Sequence, residues 1–457
     1  MTGPTRSLFA HEHATAIAAD GLAPAVTYAE LVDLASRRAA QLEPDAVVLL
    51  RAENSREYIP WFLGAIWAGA WVMPFHPATP PRELDLLAAR SGASLVIGGL
   101  VDGLPSLPLS LPPPRRTSPA RDEGGVLLQS SGTTSHPRIV RRNAASLRAV
   151  AENVREALAL TPDDVIAAAI PMGHSYGVEN ALLGPLAAGS ALLLFDVFDP
   201  VRLREAFRRS RVSVLPGVPF FFESIAREPG PRGGLRLAYS AGAPLPSRVA
   251  DDFERAFGLR LGQLYGATEI GSVTFADPAA ASFRHGSVGS PMNGVRILIQ
   301  DPAGRLLPPG AEGEVLVRAP SMLDAYLDAP ADLADNAFFR TGDLGRLDEH
   351  ANLFLSGRLK FIVDVGGLKV NPLEVERVLI EHPDIAECLV LPLPVSETVT
   401  RLRAIVVPRR TLTPAEVRHF ARERLAAHKV PRVIEFREAI PRTPMGKVRR
   451  DAAAASP

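Results

Sequence analysis

At 457 residues and 48.9 kDa the chain can supply about three folding units at roughly 150 residues each, with length to spare for a large buried core. Fifty Lys and Arg balance fifty Asp and Glu, so no global field draws it to nucleic acid or to an acidic membrane, and neither is an expected partner. The single cysteine, Cys388, excludes an intrachain disulfide and a cysteine-rich zinc module; it suits a reducing compartment, and a cytoplasmic location is expected.

The first residues break into His and Glu before an apolar core forms, unlike a secretory signal. Thr27 and Glu30 then have capping-box spacing, and Leu31, Leu34, Ala35 and Ala39 share one helical face, which predicts an amphipathic helix. Residues 58–75 are uncharged and near membrane-spanning length, with Trp61, Trp67 and Trp71 among them. Pro60 and Pro74 bracket the run, Gly64 and Gly69 interrupt it, and basic flanking anchors are missing, so a buried helix entering a strand is expected and no membrane span. Short apolar runs at 46–50, 95–97, 126–128, 165–170, 191–195 and 212–215 alternate with helical patterns such as 145–158 and 202–209. That alternation predicts an α/β fold with largely parallel, helix-covered sheets.

Residues 104–125 are dense in proline (Pro105, Pro108, Pro112, Pro113, Pro114, Pro119), which reads as a surface connection. From about residue 285 to 357 the runs become short β segments (295–299, 314–318, 353–355) separated by Gly and Pro, predicting a small β-barrel or antiparallel sheet. Further on, Asn371, Pro372 and Glu374 open one helix and Thr413, Pro414 and Glu416 another. With strands expected at 386–391, 403–407 and 433–436, the end of the chain makes a compact α+β unit.

Two stretches carry chemistry. Gln129-Ser130-Ser131-Gly132-Thr133-Thr134-Ser135-His136-Pro137-Arg138 follows an apolar run; its N–H and hydroxyl donors could converge on phosphate oxygens, with Arg138 adding charge, or form a plain flexible loop. No G-x-x-x-x-G-K-[ST] occurs and no G-x-G-x-x-G follows a strand, so P-loop NTPases and Rossmann dehydrogenases are excluded. Gly173-His174-Ser175-Tyr176-Gly177 fits G-x-S-x-G between an apolar run and a helix-like stretch at 178–188, the setting of a serine-hydrolase elbow with Ser175 as nucleophile. Against that, Pro171 and Met172 separate run from turn and no glycine-rich HGG stretch lies upstream; the pentapeptide could equally line a pocket.

The hydroxyl loop is followed in order by Gln263-Leu264-Tyr265-Gly266-Ala267-Thr268-Glu269, Arg340-Thr341-Gly342-Asp343, Gly357-Arg358-Leu359-Lys360 and Pro441-Arg442-Thr443-Pro444-Met445-Gly446-Lys447. This series resembles the adenylate-forming superfamily of acyl-CoA synthetases, adenylation domains and firefly luciferases, from Thr27 to Lys447. The resemblance implies a large N-terminal domain (1–358, with the β-rich part at about 285–357), a hinge near Lys360 and a small mobile C-terminal α+β domain (359–457). It implies an acid–thiol ligase: a carboxylate attacks the α-phosphate of ATP to give acyl-AMP and pyrophosphate, and a thiol then takes the acyl group.

By the same resemblance Ser131, Gly132, Thr133, Thr134, Ser135 and Arg138 hold phosphates, Thr268 touches phosphate, and Glu269 binds Mg2+. Lys447 bridges carboxylate and phosphate. Gly242, Ala243, Pro244, Tyr265 and Gly266 flank adenine, while Asp343, with Arg358 nearby, accepts the ribose hydroxyls. His174, Tyr176 and Gly177 line the acyl pocket, and Gly366 and Gly367 line the tunnel for the pantetheine arm of coenzyme A or of an acyl carrier protein. Ser135 and Arg138 depart from the usual Gly and Lys, Phe361 from a usual acid, and Ala325 from a usual Gly before Tyr326. The stretch Tyr176-Gly177-Val178-Glu179-Asn180 resembles benzoate-type ligases, and the Phe-Asp pair of amino-acid-activating members is missing, so a small aromatic or other compact acid is expected. A serine esterase acting through Ser175, a fatty acyl ligase and a non-catalytic binding homologue remain the alternatives.

Overall fold

The structure, a computed structural model, describes residues 14–18, 24–109, 123–130, 138–209, 211–327, 333–334, 337–359, 363–365, 368–395, 400–425, 427–442 and 448–450. The chain divides into two compact units, Met1–Ile297 with Val317–Phe339, and Leu298–Leu316 with Arg340–Pro457. Each unit takes two separate stretches of the chain, because the boundaries between them fall inside the β-rich segment. Lys360, the expected hinge, lies outside the described residues.

The first unit is built on two mostly parallel sheets. One runs, in spatial order, Ser290–Pro291, Gly271–Ala276, Leu261–Ala267, Leu237–Ser240, Val214–Gly217, Val165–Ala168, Ala191–Leu194, Thr15–Ile17, Val26–Thr27. Every pairing from Leu261–Ala267 across to Thr15–Ile17 is parallel. Its central strands are buried along their whole length, as strands covered on both faces must be, which is why they read as unbroken apolar runs. The chain lays down Val165–Ala168, adds Ala191–Leu194 on one side, then returns to add Val214–Gly217 on the other. Open α/β sheets take ligands at such a reversal, in the crevice beyond the carboxyl ends.

The other sheet runs Ala325–Tyr326, Ile139–Asn143, Gly125–Gln129, Trp71–Phe75, Val47–Arg51, Leu95–Ile97, Ser106–Leu107. The helix Tyr28–Ala39 opens with both bonds of the Thr27–Glu30 capping box. The uncharged run is a fully buried helix, Tyr58–Trp67, leading into Trp71–Phe75, and no described helix is long and apolar enough to cross a membrane. Within the proline-dense connection, Ser106–Leu107 forms an unexpected edge strand, a place where flanking prolines cost no ladder bond, while 110–122 lie outside the described residues. The helix-like stretch at 178–188 is three pieces: Ser175–Val178, a π turn over Glu179–Leu183, and Gly184–Ala188.

The β-rich segment forms a five-stranded sheet, ordered Arg296–Gln300, Gly313–Arg318, Phe338–Leu347, Leu333–Ala334, with Leu353–Arg358 also on Phe338–Leu347. Among the described residues no pairing closes this sheet on itself. In the second unit the helices Pro372–Ile380 and Pro414–Arg422 pack on Ile385–Pro394, Thr400–Pro408 and Val433–Phe436 around Val375, Leu379, Val390, Ala404 and Val417. Asn371 and Thr413 cap these helices as their sequences require.

Candidate active site

Four parallel strands end side by side on one edge of the first sheet, in register through Ile166 with Val214, Gly217 with Ser240, and Ser240 with Gln263. The segments leaving these ends carry His174, Ser175 and Tyr176, then Val218, then Gly242, Ala243 and Pro244, then Thr268 and Glu269. Gly242 has φ +79° and is exposed with Ala243 and Pro244, so the chain turns there with bare backbone at the crevice. Ser240 Oγ, at the end of its strand, is buried without a hydrogen-bond partner among the described residues. An unsatisfied hydroxyl in that position suits a polar ligand entering the crevice. Tyr265 is buried.

Tyr176 forms a wall across the strand ends. Its hydroxyl donates to Gly217 O (3.0 Å) and its ring stands edge-on to Tyr239, centroids 6.5 Å apart. Burial, and next the neighbouring Tyr239, push the Tyr176 phenol well above its ordinary value, so it stays a donor. Gly177 is buried, and a Cβ there would lie 2.1 Å from Pro171 O: glycine is required for the loop to close on the helix.

Thr268 and Glu269 occupy a hairpin tip closed by the pairing of Ala267 with Gly271. The strands approach so closely that a Cβ at Gly266 would meet Gly271 O at 2.3 Å. Glu269 O accepts from Leu323 N (2.8 Å), and Glu269 Oε1 accepts from the Tyr326 hydroxyl (3.1 Å). Burial first, and the Glu269 carboxylate second, hold the Tyr326 phenol above its usual range. The Arg138 guanidinium lies 5.1 Å above the Tyr326 ring. Ser130 N donates to Arg138 O (2.8 Å), so the hydroxyl loop leaves and returns at one point and its last residue shares Tyr326 with Glu269. The loop residues Ser131, Gly132, Thr133, Thr134 and Ser135 lie outside the described residues, as do Gly366, Gly367 and Lys447.

Ser175 is not built as a nucleophile. It opens the short helix Ser175–Val178 instead of standing on a strand-to-helix elbow. Its hydroxyl donates to Glu179 Oε1 (2.5 Å) and accepts from Arg142 Nη1 (3.4 Å). Glu179 is itself ion-paired with Arg142 and accepts from Ser272, so it is no general base for a hydrolase.

In the second unit, Asp343 and Arg358 face each other across antiparallel strands, and Arg358 Nε donates to Asp343 Oδ1 (2.6 Å). Asp343 is buried; Gly342, at φ +68°, turns the backbone so that Asp343 N reaches Thr341 Oγ1 (3.0 Å). The guanidinium fixes the orientation of the carboxylate through this bond.

A family model described as AMP-binding enzyme matches residues 6–327, and its C-terminal domain counterpart matches residues 374–447. The chain belongs to the AMP-binding enzymes. It is 30% identical to a feruloyl-CoA synthase of Amycolatopsis, over 97% of this chain and 96% of that one. To an oxalate–CoA ligase of Arabidopsis thaliana it is 29% identical, over 93% and 92%. The ATP-bound crystal structure of MatB from Rhodopseudomonas palustris superposes with a TM-score of 0.90 at 26% identity, covering 99% of this chain and 98% of that one.

In an AMP-binding enzyme of this build, the residues that sequence reading missed are Arg142, Glu179, Tyr239 and Ser272, which sit behind the crevice instead of lining it. The available signal was a lone Glu within the apolar stretch 178–188. Magnesium suits the site: it takes one or two carboxylates with phosphate oxygens and water, and not an all-protein cage. Glu269 offers one such carboxylate, and no group of three or more His, Cys, Asp or Glu gathers among the described residues.

Proposed function

We propose that this AMP-binding enzyme activates an aromatic or other compact carboxylic acid with ATP, releasing pyrophosphate, and passes the acyl group from acyl-AMP to the thiol of coenzyme A. The observation that carries the reading is the side-by-side ending of four parallel strands, which brings the Tyr176 wall, the bare backbone at Gly242 and the Glu269 tip to one crevice.

The first step opposes a carboxylate to a polyphosphate, costing about 4 kcal/mol for a unit pair at about 4 Å and an effective dielectric of about 20. Arg138, stacked on Tyr326, places a fixed cation at the mouth of the phosphate loop. Magnesium held on Glu269 supplies further positive charge at the phosphates when bound. Thr268 donates its hydroxyl to phosphate, and Lys447 neutralises the attacking carboxylate and the attacked phosphate together. Asp343, aimed by Arg358, takes the ribose hydroxyls, and Tyr265 and Gly266 flank the base. In the second step the thiolate attacks the acyl carbonyl and AMP leaves; Gly366 and Gly367 admit the pantetheine arm. A hinge near Lys360 serves the exchange between the two steps.

The aromatic wall of Tyr176, backed by the buried ring of Tyr239, supports a compact acid. Glu179, already neutralised by Arg142, offers no partner for an α-ammonium group, which disfavours amino acids. Hydroxylamine trapping with ATP and a panel of benzoate, 4-coumarate, ferulate, indoleacetate, oxalate, malonate and hexanoate, with pyrophosphate release as second readout, tests the reading. Hydroxamate from the aromatic acids is expected; turnover of hexanoate alone moves the substrate class to fatty acids, and no pyrophosphate from any acid refutes the ligase. Repeating the active pair with coenzyme A and with a holo carrier protein separates the two acceptors; thioester with coenzyme A is expected.

A further inference from the structure

The hairpin tip carrying Thr268 and Glu269 is gripped from behind by a closed ring of buried polar contacts. Arg142, fully buried, donates from Nη1 to Glu179 Oε1 (2.5 Å) and from Nε to Ser146 Oγ (3.1 Å). On one branch, Glu179 Oε2 accepts both the N–H and the hydroxyl of Ser272, each at 2.7 Å. On the other, the Ser146 hydroxyl donates to Ser321 O (3.0 Å), and the Ser321 hydroxyl donates to Ile270 O (2.6 Å). Ile270 and Ser272 are the two neighbours of Gly271, directly behind Glu269, so the branches meet on the tip.

Gly271, at φ +73°, is part of the fit: a Cβ there would lie 3.1 Å from Arg142 Nη2 and from Ser321 Oγ. A third arm leaves the ring through Ser175, whose hydroxyl donates to Glu179 Oε1 at 2.5 Å and whose helix carries Tyr176. Beside it, Asn180 donates to Ser272 Oγ (3.0 Å) and accepts from the Tyr239 hydroxyl (3.1 Å).

Burying an ion pair is a weak way to gain stability, since apolar side chains of similar volume often do as well. Charged hydrogen bonds do, however, fix geometry. We propose that Arg142 and Glu179 are positioning residues: their ring sets the Thr268–Glu269 tip against the helix of Ser175 and Tyr176, so that acid and nucleotide meet at one fixed distance. The inference rests on the ligase reading given above.

The test is ATP–pyrophosphate exchange with the panel acid that the wild-type protein turns over fastest, read beside thermal unfolding, for Glu179→Gln, the double change Arg142→Met with Glu179→Gln, Ser175→Ala and Ser175→Thr. Glu179→Gln strands a buried cation and is expected to lower both Tm and exchange. The double variant removes that cation and keeps an acceptor for Ser272, so its Tm is expected within about 3 °C of wild type. Its kcat is expected to stay at least about tenfold down, with the KM values for ATP and acid within about threefold, as misplaced reactants require.

Ser175→Ala leaves the ion pair intact; it should keep its Tm and lose about fivefold in kcat, with Ser175→Thr recovering it. A double variant that regains Tm and kcat together shows a purely structural pair and overturns the proposal. Should the double variant not fold, Ser175→Ala decides, and wild-type exchange in it also overturns the proposal. Absence of exchange in the wild-type protein itself overturns the ligase reading and this inference with it, an outcome distinct from a loss confined to the variants.

Discussion

Tyr326→Phe removes one hydroxyl, which donates to Glu269 and also meets the Arg138 side chain, and keeps the ring, which makes it the sharpest probe of how Glu269 is held. Tyr326 is 7% exposed and its hydroxyl reaches Glu269 Oε1 at 3.1 Å. A hydrogen bond to a charged group contributes about 1.5–3 kcal/mol, and the length of this one together with the partial exposure of Glu269 puts it at the lower end. A loss of about 1.5 kcal/mol is about tenfold in rate. The expected outcome is therefore a fall of about tenfold in kcat/KM for ATP in pyrophosphate exchange, measured across a magnesium titration. Tyr326→Ala also removes the ring beneath Arg138, a cation–π contact of about 0.5–1 kcal/mol, and should cost about threefold more. A Tyr326→Phe protein matching wild type at every magnesium concentration would refute the view that this hydroxyl aims the carboxylate, and equal losses in the two variants would show that the seat of Arg138 contributes nothing.

Lys447→Ala is expected to abolish acyl-AMP formation yet retain thioester formation from supplied acyl-AMP; equal damage to both half-reactions would remove Lys447 from its assigned role. Asp164, with its side chain 4% exposed, accepts from Arg236 at 2.7 and 2.8 Å, from Ser213 Oγ at 2.7 Å and from Thr161 N at 2.9 Å. Burial opposes its charge, but Arg236 and these donors outweigh it and hold the carboxyl below its ordinary value. A lowered folded value contributes stability that is present above the unfolded pKa and lost as pH falls through the folded one. Asp164→Asn should thus lower stability at pH 7 by about 2 kcal/mol, less than a wholly buried pair because Arg236 is 40% exposed, and flatten the loss of Tm below about pH 4. Arg450 donates to both carboxylate oxygens of buried Glu376 (2.8 and 3.0 Å) and to Val390 O, tying the end of the described chain to the second unit. Arg450→Met should lower stability by about 2–3 kcal/mol, seen as faster hydrogen exchange in Ile385–Pro394; unchanged protection would contradict it.

What the sequence made legible is what local chemistry dictates. The capping boxes at Thr27 and Thr413, the run at 58–75 resolved into helix and strand, and the parallel α/β alternation all depend on residues within a turn or two of one another. Tyr265, Thr268 and Glu269 came from the resemblance of Gln263-Leu264-Tyr265-Gly266-Ala267-Thr268-Glu269 to a family motif and from no apolar run; the structure adds that they lie on the strand Leu261–Ala267 and the hairpin tip beyond it. The order of the inner strands was not legible, since pairing Val214–Gly217 with Val165–Ala168 across an intervening strand leaves no mark in either run. Nor was the Arg142–Glu179 pair, whose partners stand 37 residues apart and obey no period. The stretch 178–188 looked like one helix because a π turn keeps the apolar face and changes only the hydrogen-bond step. Ser106–Leu107 was hidden by its prolines, which exclude an inner strand and say nothing against an edge.

The glycines around the crevice differ in what the Cβ each lacks would meet. Gly242 turns at positive φ with only Val218, at 3.8 Å, near the Cβ it lacks, so its bare backbone meets open space. Gly177, Gly266 and Gly271 differ: the Cβ each lacks would strike Pro171 O, Gly271 O, or Arg142 and Ser321. Those three let backbone approach backbone or a buried guanidinium, which brings the Tyr176 helix and the Glu269 tip close enough to share Glu179 and Ser272. A G-x-S-x-G signature therefore arises here without a nucleophile, because its last glycine answers to Pro171 and its serine to a buried carboxylate.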